Sequence, residues 1–359
     1  MSFFRNKHWA MAVFFMLFVL LTGSVVSADD SYPRRPPNIV IGYAAGGGTD
    51  TAIRPIALEM EKYLGSTITV LNMPGADSAV AVDYVRNQPK DGYWLLGTGA
   101  DSISVTLRIK NLVDTNWREW EAMYTMFGPD GLVVRKDSPI KNLDDAIEFL
   151  RQGNVVCGVT GLGSSPHLFF EELNKAVGGK PVTYVPHGGC HPAGVATIAG
   201  EVPIALVTLS AVWDFVRAGE LRVLAAFGVE EPVKVEVKGE TVVIPNIGSK
   251  VPGTEELDKW KKSWPIFVHR DVPAPIRAKL REAFVWACQQ PSVHEFAEAN
   301  GLVVAGIVGE DADRMMCFSE SFAGWMMEKA GQAEISPAEL GIPTVEEWVW
   351  PPDNWDYQY

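Results

Sequence analysis

Short apolar runs alternate with longer amphipathic stretches along this chain, and glycine, serine or proline marks most of the junctions. A short apolar run bounded by turn residues reads as a buried strand, and a following stretch with apolar residues every three or four positions reads as a helix. The clearest unit comes first. Ile39-Val40-Ile41 predicts a strand, residues 42–50 a glycine turn with few bulky side chains, and residues 51–60 an amphipathic helix whose first turn carries Thr49 and Asp50 as caps. Such a junction leaves unpaired backbone N–H groups at the positive end of a helix dipole, which makes an anion site.

The unit then repeats. Thr67-Ile68-Thr69-Val70-Leu71 predicts a strand, Asn72-Met73-Pro74-Gly75 its turn, and residues 79–86 a helix; residues 93–97 predict a third strand ending in the small loop Thr98-Gly99-Ala100-Asp101-Ser102. Strands alternating with helices predict a parallel α/β sheet whose post-strand loops share one edge. From Leu132-Val133-Val134 the pattern restarts, with a helix over 142–151 and a strand over 155–159. The turn Thr160-Gly161-Leu162-Gly163-Ser164-Ser165-Pro166-His167 then leads into a helix over 168–176. Residues 182–186 and the loop His187-Gly188-Gly189-Cys190-His191 give a further junction of this kind, followed by a helix to Ala199 and a strand over 204–208. Glycine loops on two α/β units invite a ligand between the units.

Residues 223–227 predict a buried strand, residues 230–244 an inserted hairpin of alternating charge and valine, and residues 261–269 a further strand. Helices follow over 275–289, with Ile276, Leu280, Phe284 and Ala287 on one face, over 293–300 and over 311–329. This last third reads as returning to complete the first domain. The tail from Ser336 carries Trp348, Trp350 and Trp355; it reads as an aromatic strap packed on its own domain, or alternatively as a segment that docks a partner.

Composition narrows the classes. With 359 residues, 47% of them hydrophobic and 21% charged, the chain is long enough for two well-filled domains. Residues 1–28 combine Arg5 and Lys7, an apolar run too short for a comfortable membrane span, and Val26-Ser27-Ala28, which together predict a cleaved secretory signal and a periplasmic protein. Its removal takes no acidic residue and leaves 29 basic against 44 acidic side chains, a formal charge of −15. So acidic a surface repels nucleic acid and anionic lipid. The four cysteines, Cys157, Cys190, Cys288 and Cys317, fit no zinc ribbon; in an exported protein they are either paired, with Cys288–Cys317 the better-placed pair, or buried free thiols.

Other chemistries fit less well. Gly46-Gly47-Gly48-Thr49-Asp50 has Thr51 where a dinucleotide fingerprint has its third glycine, and it lacks the lysine of a phosphate loop. Ser164, Ser165, His167 and His187 raise an exported hydrolase, but no Gly-x-Ser-x-Gly elbow occurs and nothing supplies a base with its orienting partner. The cluster His187, Cys190 and His191 has no recognised metal-ligand spacing, and neutral histidines donating to an anion suit it better.

Six short motifs occur in register: Tyr43-Ala44-Ala45-Gly46-Gly47-Gly48-Thr49-Asp50, Asn72-Met73-Pro74-Gly75-Ala76, Asp91-Gly92-Tyr93, Gly163-Ser164-Ser165-Pro166-His167-Leu168, Val185-Pro186-His187-Gly188-Gly189 and Val272-Pro273-Ala274-Pro275. In this order, and behind a signal peptide, they resemble the Bug-type extracytoplasmic solute receptors of tripartite tricarboxylate transporters over roughly residues 38–330. The resemblance implies an α/β, two-domain type II periplasmic-binding-protein fold with two crossovers near 129 and 250. Domain 1 would comprise 38–129 plus 250–333, domain 2 residues 130–249, and an aromatic extension 334–359. It implies a monomer without catalysis or cofactor that carries a small organic acid, a carboxylate or related amide, to membrane permease subunits. The implied ligand contacts are Tyr43, Ala45, Gly46, Gly47, Thr49, Asp50, Thr98 and Ala100 in domain 1, and Ser164, Ser165, His167, His187, Gly188 and Gly189 in domain 2. The chain departs from the family at His187-Gly188, Pro203, Cys190-His191 and Asp77-Ser78, so the cleft floor is not the familiar one. A signalling receptor subunit that uses the tail to dock its partner is the second expectation.

Overall fold

The structure is a computed structural model that describes residues 32–353 and 355; the signal expected over residues 1–28 lies outside them. From Arg35 onward the chain forms one compact unit built on two β-sheets. Strands β1 (Asn38–Ile41), β2 (Thr69–Asn72), β3 (Trp94–Gly97) and β4 (Trp120–Gly128) open the first sheet. After Pro129 the chain enters the second sheet through β5 (Asp130–Arg135), β6 (Val155–Val159), β7 (Val182–Pro186), β8 (Ile204–Thr208) and β9 (Leu221–Phe227). The hairpin expected over 230–244 forms as β10 (Val233–Val237) and β11 (Glu240–Ile244), turning at Lys238-Gly239 with positive φ at both residues. Then β12 (Lys262–His269) and β13 (Val303–Ile307) return to the first sheet.

The strand orders are β13-β4-β12-β3-β1-β2 and β7-β6-β8-β5-β9. Both sheets are mixed, which corrects the expectation of a parallel sheet. Strand β1 runs parallel to β2 and β3, but β12 is antiparallel to β3 and β4; β6 runs parallel to β7 and β8, but β5 is antiparallel to β8 and β9. Strand β13 is likewise antiparallel to β4, while β5 and β12 are the reversed strands that stand next to the passages between sheets. There the chain enters a sheet directly, without a crossover helix to restore its direction. Strand β4 was not apparent in the residue pattern because it is buried on both faces and shows no alternation.

Each sheet has its own core. Trp117, Trp120, Tyr124 and Phe267 fill the first, and Phe169, Phe170, Leu206 and Phe227 the second. The helix Gly309–Lys329 serves both: Ala312, Met316 and Cys317 enter the first core, and Phe322, Ala323, Met326 and Met327 the second. All four cysteines are buried free thiols, so the Cys288–Cys317 pair does not form; Cys317 Sγ instead accepts the Trp348 indole N–H at 3.3 Å, and Cys288 lies beside Gly306. The tail packs along both cores, with Trp355 and Trp350 against Trp117 at ring separations of 4.7 and 6.3 Å and Ile342 in the core of the second sheet.

Candidate functional site

The carboxyl ends of β1, β3, β6, β7 and β8 face one cavity of about 120 Å³ between the two sheets. This is where an open α/β architecture gathers its post-strand loops. Three helices begin on its wall: Gly48–Leu64 after Gly47, Ser165–Ala176 after Ser164, and Cys190–Ala199 after Gly189. None has a side-chain cap, and the one hydroxyl in position to cap, Ser164 Oγ, donates instead to the Gly161 carbonyl at 2.7 Å. First-turn N–H groups have no intrahelical acceptor, so three positive helix ends converge on this space.

Close packing keeps the cavity small. A Cβ on Gly48 would sit 3.0 Å from Trp264 Cζ2 and 3.4 Å from Thr208 Cγ2, so glycine lets the first helix start against both sheets. Trp264 and Lys262, from the start of β12, and Thr208, from the end of β8, supply part of the lining.

The charged groups are paired. Lys262 Nζ lies 3.3 Å from Asp101 Oδ1. Burial alone would depress its pKa, but Asp101 and Asp130 outweigh that and hold the ammonium charged. Asp130, fully buried behind the wall, accepts Thr208 Oγ1–H at 2.6 Å and Ser165 Oγ–H at 3.1 Å; burial raises its pKa, against the pull of Lys262 and the two hydroxyls. Asp77 accepts the Tyr43 hydroxyl at 3.0 Å through Oδ1 and the Lys110 ammonium at 2.9 Å through Oδ2. Burial, with Asp77 and Asp101 adding, pushes the Tyr43 phenol well above its usual range, so it stays a neutral donor.

Of the expected contacts, Tyr43, Ala45, Gly47, Thr49, Ser164 and Gly189 line the cavity. Others stand behind it. Asp50 accepts the Gly46 N–H at 3.0 Å, Arg54 Nε–H at 2.8 Å and Asn72 Nδ2–H at 2.9 Å, which braces the glycine loop from the far side. Thr98 donates to Ser78 Oγ, and Ala100 lines a separate cavity with Tyr124 and Ser319. His167 Nδ1 accepts the Gly163 N–H at 2.9 Å, and its ring lies edge-on to Tyr184; burial, with Lys110 adding, depresses its pKa to about 4, so the ring is neutral. The His187 imidazole turns inward beside Gly158, where its Nε2 is buried without a hydrogen-bond partner among the described residues, and Gly188 lines a neighbouring cavity of about 510 Å³ with Asp77 and Lys110.

The contact set implied by the resemblance lacks Asp77, Asp101, Thr160, Thr208, Lys262 and Trp264, which all line the cavity. The unusual Asp77-Ser78 was a usable signal. Lys262 and Trp264 gave none, because they arrive from far along the chain in a strand that reads as core. No serine–histidine pair forms here, since Ser165 donates to Asp130 and His167 Nδ1 is occupied by Gly163. Among the described residues, no group of three or more His, Cys, Asp or Glu side chains is placed to hold a metal ion, and no helix is long and apolar enough to cross a membrane.

Residues 52–325 match the family described as "Tripartite tricarboxylate transporter family receptor". A relative from Agrobacterium vitis, the "UPF0065 protein in the TAR-I ttuE-ttuC' intergenic region", is 30% identical over 295 residues, covering 80% of this chain and 82% of its own. Among solved structures, Rpa4515 of R. palustris with adipate aligns with a TM-score of 0.75 and 24% identity over 84% of this chain and 99% of that one. MatC of Rhodopseudomonas palustris with bound malate aligns at 0.68 and 24%, over 81% and 100%. At these identities the two structures speak to the fold, a periplasmic-binding-protein architecture.

Proposed function

We propose, from the premise that this chain belongs to the tripartite tricarboxylate transporter receptor family, that it captures a small organic acid in the cavity between its sheets and delivers it to the membrane permease of a tripartite transporter. Proteins of this family are solute-binding receptors rather than enzymes. The single observation that carries the reading is the convergence of three uncapped helix starts on one cavity. Fixed N–H dipoles suit a carboxylate, and each charge-assisted hydrogen bond is worth on the order of 1.5–3 kcal/mol.

In this reading residues 38–129 with 250–333 form one lobe and residues 130–249 the other, and the lobes close on the ligand about the passages between the sheets. Tyr43, Ala45, Gly47, Thr49, Ser164 and Gly189 touch the ligand; Asp50, Thr98, Ser165 and His167 hold the loops that present them. The cavity volume favours a short chain, since about 150 Å³ accommodates a six-carbon ring. The protein works as a periplasmic monomer after its signal is removed.

Thermal unfolding of the mature protein against mono-, di- and tricarboxylates, aromatic acids and ω-amides tests this. Ligands of the native state raise the midpoint by mass action. A concentration-dependent rise with a small carboxylate is expected, and no rise with any member of the panel would overturn the reading.

A further inference from the structure

Three carboxylates stand on or directly behind the cavity wall, Asp77, Asp101 and Asp130, against two ammonium groups, Lys110 and Lys262. Each ammonium already faces a carboxylate, Lys110 on Asp77 at 2.9 Å and Lys262 on Asp101 at 3.3 Å. Asp130 is satisfied by two hydroxyls. Among the described lining residues, Lys262 is the one side chain with a fixed positive charge.

The side chains therefore sum to between zero and one negative charge, depending on the Asp130 proton. Three helix starts add roughly half a positive charge each. The sum is roughly half to one and a half positive charges, which one ligand carboxylate brings to within about half a charge of neutral whether or not Asp130 holds its proton. A second would enter among the oxygens of Asp77 and Asp101, whose cations Lys110 and Lys262 are already engaged, and like charges at close range repel.

The backbone is distorted to keep one of these carboxylates in place. Ala76, Asp77 and Ser78 take φ values of 43°, 55° and 76° in succession, a left-handed run that only glycine adopts freely. Gly42 admits the run, since a Cβ there would lie 2.3 Å from Ser78 Cβ. The result is an acceptor group under the Tyr43 hydroxyl at the cavity wall.

We propose that the ligand pairs one carboxylate, held at the helix starts, with a nitrogen that donates hydrogen bonds to Asp101 and Asp77. It is an ω-amide or amino acid rather than a di- or tricarboxylate. This rests on the reading of the cavity as an organic-acid site and narrows it.

Calorimetric titration with matched pairs tests the idea: succinate against succinamate, glutarate against glutaramate, with 4-aminobutanoate as the zwitterion. The amide or zwitterion is expected to bind at least tenfold tighter than its dicarboxylate counterpart. Asp77→Asn and, separately, Asp101→Asn should shrink or reverse that ratio, and two variants guard against one failing to fold. Dicarboxylates binding as tightly as their amides, or a ratio unmoved in both folded variants, would overturn the inference and leave the receptor reading standing. If neither these compounds nor the wider carboxylate panel binds, the receptor reading fails and this inference with it. Preference for the zwitterion over the amide would identify the nitrogen as an ammonium.

Discussion

The Lys110 ammonium joins Asp77 to Leu162: its Nζ lies 2.9 Å from Asp77 Oδ2 and also donates to the Leu162 carbonyl. Its stem covers Gly163, where a Cβ would come within 2.6 Å of Lys110 Cε. One side chain thus ties the strained loop beside the first sheet to the glycine-serine turn that follows β6. Lys110→Met keeps the stem and removes the tie. Because the pair is partly solvated, the loss is expected to be modest, about 1 kcal/mol. Stopped-flow fluorescence should show ligand dissociation several-fold faster with association little changed, whereas an unchanged dissociation rate would remove Lys110 from the closure.

His167 makes stability depend on pH. Burial holds its folded pKa near 4, below the ordinary histidine value of 6.5, so the unfolded chain takes up the proton first as pH falls. The stabilisation is therefore complete above about pH 6.5 and is lost progressively toward pH 4, on the order of 3 kcal/mol over that window. Urea unfolding at several pH values should show His167→Gln with a shallower decline than the parent between pH 6.5 and 4. Parallel curves would mean that His167 is not the titrating group.

The aromatic tail is part of the fold. Trp348 caps Cys317, Trp350 and Trp355 cover Trp117, and Ile342 lies in the core of the second sheet. Large side chains contribute roughly 1.5–3 kcal/mol each when well buried, so deleting residues 336–359 should lower the melting midpoint by on the order of 10 °C. It should also open Cys317 to a thiol reagent while Cys157 and Cys288 stay protected. A truncated protein with parental melting and no reactive thiol would show the tail to be dispensable.

Much of this architecture was legible along the chain because each early strand ends in a glycine loop and each loop starts a helix. The run from Ile39 to the helix after Gly47, the junctions at Ser164 and Gly189, and the hairpin over 230–244 all follow from local signals. The hidden parts depend on distant partners. Strand β4 lacks alternation because both its faces are covered, and β12 brings Lys262 and Trp264 to the cavity from the far end of the chain. Side-chain direction was equally invisible: Asp50 and His167 sit in the right loops, yet Asp50 braces Gly46 and His167 holds Gly163. Spacing places a residue in a loop; packing decides which way it faces.

The central claim is that backbone N–H groups at the helix starts hold the acid, and Cys190 offers the most direct test. It is the first residue of its helix, follows an extended Gly189, and lines the cavity, so proline can replace it without breaking the helix while deleting one N–H donor. Cys190→Ser removes the thiol but keeps that donor. Calorimetric titration of the carboxylate that most raises the melting midpoint should show Cys190→Pro binding at least tenfold more weakly and Cys190→Ser binding within a few-fold of the parent. Equal affinity for Cys190→Pro and the parent would contradict the account.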